Sequence, residues 1–276
     1  MSSANSSCSS FTVSLPKGPA LHKVMKHYNP LGFPGAVGSV DVTHVHWSCA
    51  PYSHRQLYIG KEGFATLAYE ATVDHTGRLM TVTEGFLEAQ NDRSIIRLDS
   101  AVATIRRNEP YISTTYTLFS EDGIPEDKAK IKEGIYLIAN GDYNRWLILM
   151  CPVKYPANDR VAAWSKRLEQ VRMYVECFFG VLKARFLILK KAILFRKKEG
   201  ISNVMFTYCI LHNMLHAMDD FDDMEAGDAV WDGANGSCED GGEIPLEVST
   251  KMVSDMAIEV VAEVPKDGGT VRFVTP

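Results

Sequence analysis

Residues 134–140 read Gly-Ile-Tyr-Leu-Ile-Ala-Asn, and the apolar run stops abruptly at Asn140-Gly141-Asp142. A buried strand ends this way when it delivers polar side chains to the edge of a sheet, where α/β proteins keep their ligand sites. A second run, Ser39–Trp47 (Ser-Val-Asp-Val-Thr-His-Val-His-Trp), is β-rich yet carries Asp41 between two valines. Alternate side chains of a strand share a face, so Asp41 goes with Thr43, opposite to Val40 and Val42, while His44 and His46 fall on the other face. An acid in an apolar strand is costly unless it is paired or holds a cation. From spacing alone Asp41 is equally a turn or salt-bridged residue, and the two histidines are packed or surface side chains.

The rest of the chain follows the same logic. Residues 64–87 contain two β-rich segments around Asp74-His75-Thr76-Gly77, the pattern of a hairpin. A short helix is expected around Ser94–Arg107. From Val161 to Leu189, Leu168, Val171, Val175, Phe178, Phe179 and Leu182 recur at helical spacing. A last helix is expected over Ile201–Met218, with Val204, Cys209, Leu211 and Leu215 as its buried face. Strands first, then a strand, then helices: the order predicts a mixed sheet flanked by helices, an α/β or α+β domain.

Charge divides the chain unevenly. The 58 residues after Met218 hold 15 acidic and 3 basic residues, against 19 acidic and 26 basic before them. A basic body with an acidic tail suits a polyanion partner and a segment able to compete for the same surface, or else a tail that is simply solvated. The expected organisation is a disordered leader over 1–30, a domain over 31–218 and a largely disordered acidic tail over 219–276. The Ser-rich N-terminus lacks a signal-peptide core and no run of about 18 apolar residues occurs, so no membrane segment is expected. The six cysteines are scattered singly, as in reduced intracellular proteins, so a nuclear or cytoplasmic location is expected.

Three further candidates stand out. Asp92, in Asn91-Asp92-Arg93-Ser94, is placed to cap the helix that follows. Glu176 lies between Val175 and Phe178, near the apolar face of its helix, with Arg172 as an i,i+4 partner. The basic residues Lys183, Arg185, Lys190, Lys191, Arg196, Lys197 and Lys198 follow, either a solvated face or a surface for phosphates. His212 and His216 have zinc-protease spacing, but Asn213 stands where that motif needs a glutamate, so zinc is not expected.

Taken in order, the segments 39–47, 58–79, 85–95, 140–152, 175–190 and 210–220 resemble the nuclease domain of Harbinger-type (PIF/Harbinger) DDE transposases. The resemblance implies a ribonuclease-H-like fold whose acids hold two divalent cations, Mg2+ or Mn2+, for cleavage and joining of DNA strands. Carried over by motif, the first acid is Asp41 and the last is Glu176, with Asp92 a further metal ligand. The second acid of such proteins stands three places before a tyrosine. Here that tyrosine is Tyr143, so the position holds Asn140, and Asp142 stands where relatives have glycine. An amide brings no charge, so weak metal binding and an impaired DNA endonuclease are expected, or a non-enzymatic DNA- or protein-binding module derived from one. If the strand stays extended, Asp142 shares a face with Asn140 and is placed to lean into the site as a substitute. Met173 and Tyr174 stand in place of a Lys-Asp pair, and Glu88 in place of a glycine. The helix-turn-helix segment of full-length relatives is not expected here, so a separate DNA-binding protein is an expected partner.

Overall fold

The computed structural model describes residues 13–87, 92–118 and 130–218. Helix α1 (Pro19–Tyr28) leads into strand β1 (Ala36–His46); after a 3-10 turn at Tyr52–Tyr58 come β2 (Thr66–Val73), β3 (Leu79–Val82) and the short β4 (Phe86–Leu87). Three short helices follow, α2 (Asp92–Leu98), α3 (Ser100–Arg107) and α4 (Glu109–Ile112), and then β5 (Thr115–Leu118) and β6 (Lys130–Glu133). The chain continues through β7 (Tyr136–Ile138), β8 (Leu149–Met150), α5 (Asp159–Arg185) and α6 (Lys198–Met218).

The main sheet runs β3-β2-β1-β7-β8, with β4 also on β2. β1, β2 and β3 are antiparallel neighbours, whereas β7 and β8 join in parallel. β5 and β6 form a separate hairpin. Three antiparallel strands followed by parallel ones, flanked by helices, constitute a ribonuclease-H-like α/β fold. β2 is buried along its whole length, as an inner strand covered on both faces must be.

Helix α5 starts at Asn158, whose side chain accepts from the Val161 amide at 2.9 Å. Its buried stripe of Trp164, Leu168, Val171, Val175, Phe178, Phe179 and Leu182 repeats every three or four residues. Each such side chain contributes roughly 1.5–3 kcal/mol of burial, enough to fix which way the helix faces. The stripe joins both halves of the core. Trp164, Leu168 and Val171 pack with α1, β1 and β7 residues, and Val175 to Leu182 pack with β2 and α6 residues.

Three sequence expectations are corrected. The leader expected to be disordered over 1–30 contains α1, whose Leu21, Val24, Met25 and Tyr28 are buried against the core. Their i, i+3, i+4, i+7 spacing is a complete amphipathic stripe, and Pro19 opens the helix. The single helix expected at 94–107 is two, because Asp99 ends α2 and caps α3 by accepting from the Ala101 and Val102 amides. The buried face of α6 is only partly the expected one: Cys209 is buried and Val204 packs against the core. Leu211 and Leu215 are each 37% exposed, whereas His212, Asn213 and His216 are buried. The expectations for residues 1–12, Glu88 and the tail after Met218 lie outside the described residues.

The physical reason for the α6 result is a set of backbone partners. Asn213 accepts from the Leu79 amide at 2.9 Å and donates to the Leu79 carbonyl at 2.8 Å. His212 Nε2 lies 3.1 Å from the Gly77 carbonyl, and His216 Nε2 lies 2.9 Å from that of Thr76. β3 ends the order of the main sheet, and its outward backbone groups need cover. α6 supplies it with side chains, and the spacing that resembled a zinc motif is the spacing of this clamp.

Two outcomes follow from the clamp. Asn213→Ala strands one donor and one acceptor of an edge strand, so urea denaturation should show a loss of about 1–3 kcal/mol; a loss under about 0.5 kcal/mol would mean that water replaces the amide. Burial pulls the His212 pKa down to about 4, and that of His75 likewise to about 4. Their unfolded forms take protons more readily, so stability is full above the ordinary histidine pKa of about 6.5 and drains away as the pH falls towards 4. His212→Gln, which keeps a donor for Gly77, should flatten that decline in thermal melts between those two pH values.

Candidate functional site

The parallel register of β1 and β7 pairs Ser39 with Ile138. Two residues further along each strand stand Asp41 and Asn140, at the same level and on the same face. Asn140 Nδ2 donates to Asp41 Oδ1 at 3.2 Å. The orientation of the amide is fixed by its other end, because the Asp142 backbone amide, which can only donate, bonds Asn140 Oδ1 at 2.8 Å. Asn140 and Asp142 thus form a side-chain-to-backbone turn just past β7. Asn140 also favours the ionised form of Asp92, so one amide serves two acids.

The opposite side of Asp41 is held from α5. Arg172 Nη1 lies 2.8 Å from Asp41 Oδ2, and Arg172 Nη2 lies 2.7 Å from Glu176 Oε1 and 3.0 Å from Glu169 Oε2. The Arg172 side chain is only 12% exposed. Burial works against its charge, but Asp41, Glu176 and Glu169 outweigh that and hold its pKa above the ordinary arginine value. α5 is set over β1 here by Ser39 Oγ, which donates to the Val171 carbonyl at 3.3 Å.

The structure therefore gathers Asp41, Asn140, Asp92 and Glu176 from four separate elements. Asp41 is largely buried, and burial raises its pKa; the Val42 amide and Arg172 oppose that, while Asp92 and Glu176 add to it. Burial likewise raises Asp92, with Asn140 opposing and Asp142 adding. Glu176, expected near the apolar face, has a side chain 47% exposed and turns to Arg172. Asp142 is exposed; its carbonyl accepts from Arg93 Nε at 2.8 Å. Asp142 contributes charge to the site through Asp92, while its backbone amide, not its carboxylate, meets Asn140.

Sequence reasoning missed a buried layer beneath these residues. Glu70 on β2 is fully buried, and burial, then Asp99, pushes its carboxyl well above the usual range. Tyr143 is held between this layer and the site, its phenol raised by burial and then by Glu70, Asp41 and Asp92. Glu70 alternates with apolar neighbours on β2 just as Asp41 does on β1, and that was the available signal. Glu169, the third acid on Arg172, was also missed, though its i,i+3 spacing to Arg172 was open to view.

Hard cations take carboxylate oxygens. Both Asp41 oxygens already have protein donors, Arg172 on one and Asn140 with the Val42 amide on the other. The Asn140 oxygen is taken by Asp142. Among the described residues no three His, Cys, Asp or Glu side chains converge to hold a metal ion. The donors as arranged do not fit a pair of divalent cations.

Comparison with known proteins agrees with this architecture. The family model described as "Plant transposon protein" matches residues 12–224. The chain is 18% identical over 191 residues to "Protein ALP1-like" of Arabidopsis thaliana, a match covering 68% of this chain and 45% of that protein. The chain thus spans less than half of the curated relative it matches. No solved structure matches. With the mixed sheet of a ribonuclease-H-like fold and a family match over most of its length, the chain belongs to the plant transposon protein family, a Harbinger-type group derived from DDE transposases.

Proposed function

We propose that this is a transposase-derived domain that binds DNA and whose metal-dependent nuclease centre is impaired. The observation that carries the reading is the Asn140 amide, which gives a hydrogen to Asp41 where a second acid would give a metal an oxygen. Three carboxylates at positions 41, 92 and 140 repel one another and call for a cation. An amide at 140 neutralises the group with its own N–H bonds. Arg172 does the same for Asp41 and Glu176 with a permanent positive charge. Without the charged ligand, stabilisation of a strand-cleaving transition state falls by several kcal/mol, hence by orders of magnitude in rate.

DNA as the partner is supported by the exposed cations that end and follow α5. Arg185, Lys190, Lys191, Arg196, Lys197 and Lys198 are all exposed. Their segment is tied to the end of β1, the strand of Asp41, through pairing of Trp47 with Ile193 and a 2.6 Å bond from Trp47 Nε1 to the Phe195 carbonyl. On the other side, a cleft of about 320 Å3 next to Asp142 is lined by Lys154 and Lys166.

A second reading, in which Asp142 replaces the missing acid, is favoured by its electrostatic contact with Asp92. Plasmid nicking by the purified chain with Mg2+ or Mn2+ separates the two. Little cleavage is expected; robust cleavage abolished by Asp142→Ala would overturn our reading.

Asn140→Asp should tighten divalent-cation binding, read by calorimetry or as a metal-dependent melting temperature. Adding Arg172→Met to that variant should tighten it further, because the guanidinium competes for Asp41 and Glu176. If Asn140→Asp changes nothing while Asp142→Asn abolishes binding, Asp142 is the second acid. Separately, neutralising Lys190, Lys191 and Arg196 to glutamine should weaken DNA binding. It should also flatten the salt dependence, by about one unit of log–log slope for each cation that no longer meets a phosphate.

A further inference from the structure

A cavity of about 510 Å3 opens between α1 and the turn joining β2 to β3, at the edge clamped by α6. Lys17 and Lys23 line it from the α1 side, and Arg78 from the turn. Asp74 also lines it, but one carboxylate oxygen is engaged within the turn, accepting from the Thr76 amide at 2.9 Å, the Thr76 hydroxyl at 2.7 Å and the Arg78 amide at 3.1 Å. Leu15, Val24 and Met80 supply apolar lining. A cleft with more cations than acids at its rim and apolar residues within suits an acidic peptide that carries apolar anchors.

Helix α6 ends beside this rim. His216, near the end of α6, meets the carbonyl of Thr76, itself a lining residue. The described residues end two positions later at Met218, and the sequence continues Asp219-Asp220-Phe221-Asp222-Asp223-Met224-Glu225. That is five acids in seven residues, with Phe221 and Met224 between them. In extended form seven residues reach roughly 23 Å, ample for such a cleft. Attachment at the rim holds the segment at an effective concentration of about millimolar, so modest contacts suffice.

We propose that the acidic stretch Asp219–Glu225 docks into this cleft, its aspartates among Lys17, Lys23 and Arg78 and Phe221 against the apolar lining. The docked segment ties α1 to the sheet edge and takes up part of the positive charge of the body. The test is carbodiimide cross-linking of the full chain, which joins lysine amines to carboxylates in direct contact, read by mass spectrometry. Links from Lys17 or Lys23 to residues 219–225 are expected, with yields falling several-fold in Arg78→Glu or in about 1 M salt, where screening shortens to about 3 Å. Absence of those links while other lysine–carboxylate links form would overturn the proposal. So would links that, in an equimolar mixture of isotopically light and heavy chains, are about half light–heavy, which would make a second copy the occupant. As an independent readout, changing the four aspartates of 219–223 to asparagine should speed hydrogen exchange of the α1 amides several-fold. Unchanged exchange would count equally against it.

Discussion

The parallel pairing of β1 with β7 is the constraint on which the candidate site depends. A slip by one residue would turn Asn140 to the other face of the sheet, away from Asp41. That register is held from several directions. Apolar side chains at Val37, Val40, Leu137 and Ile138 are buried on the two strands, and α5 is bonded across Ser39 through the Val171 carbonyl. Asp41 within β1 and Asn140 just past β7 are thus positioned by an apolar framework.

Given that framework, the chemistry of the site reduces to how negative charge is balanced. Asp41, Asp92, Glu169 and Glu176 converge on two nitrogen-bearing groups, the Asn140 amide and the Arg172 guanidinium. A carboxylate cluster in partial burial needs donors or cations, and here the chain supplies both from its own side chains. The amide is neutral and small, the guanidinium charged and planar, with enough donors to serve three acids at once. Position 140 decides between these arrangements because an acid and an amide there have the same size and differ only in what they offer their neighbours.

Much of this was legible in the sequence. Alternation around Asp41, the turn at Asp74–Gly77 and the stripe of α5 are local patterns, and local patterns survive being read one segment at a time. The pairing of Arg172 with Glu176 was local too, an i,i+4 spacing on one helix. The second partner of Arg172 was not, since Asp41 lies 131 residues away. The inward face of α6 was hidden for the same reason. Histidine and asparagine look like surface residues until their backbone partners, more than 130 residues distant, are known. Helix α1 follows directly on a Ser-rich beginning, and that composition masks the regular stripe of Leu21, Val24, Met25 and Tyr28.

The clamp of α6 on the β2–β3 hairpin has a consequence for how the chain reaches its native state. Residues 76–79 leave the ribosome long before residues 212–216, and at about 5–20 residues per second the interval is on the order of ten seconds. Throughout that time β3 is an open edge, with its outward amides and carbonyls available to any other extended chain. Contacts between segments so far apart in sequence also form late and slowly once synthesis ends. The hairpin therefore stays without its α6 cover until synthesis has passed residue 216.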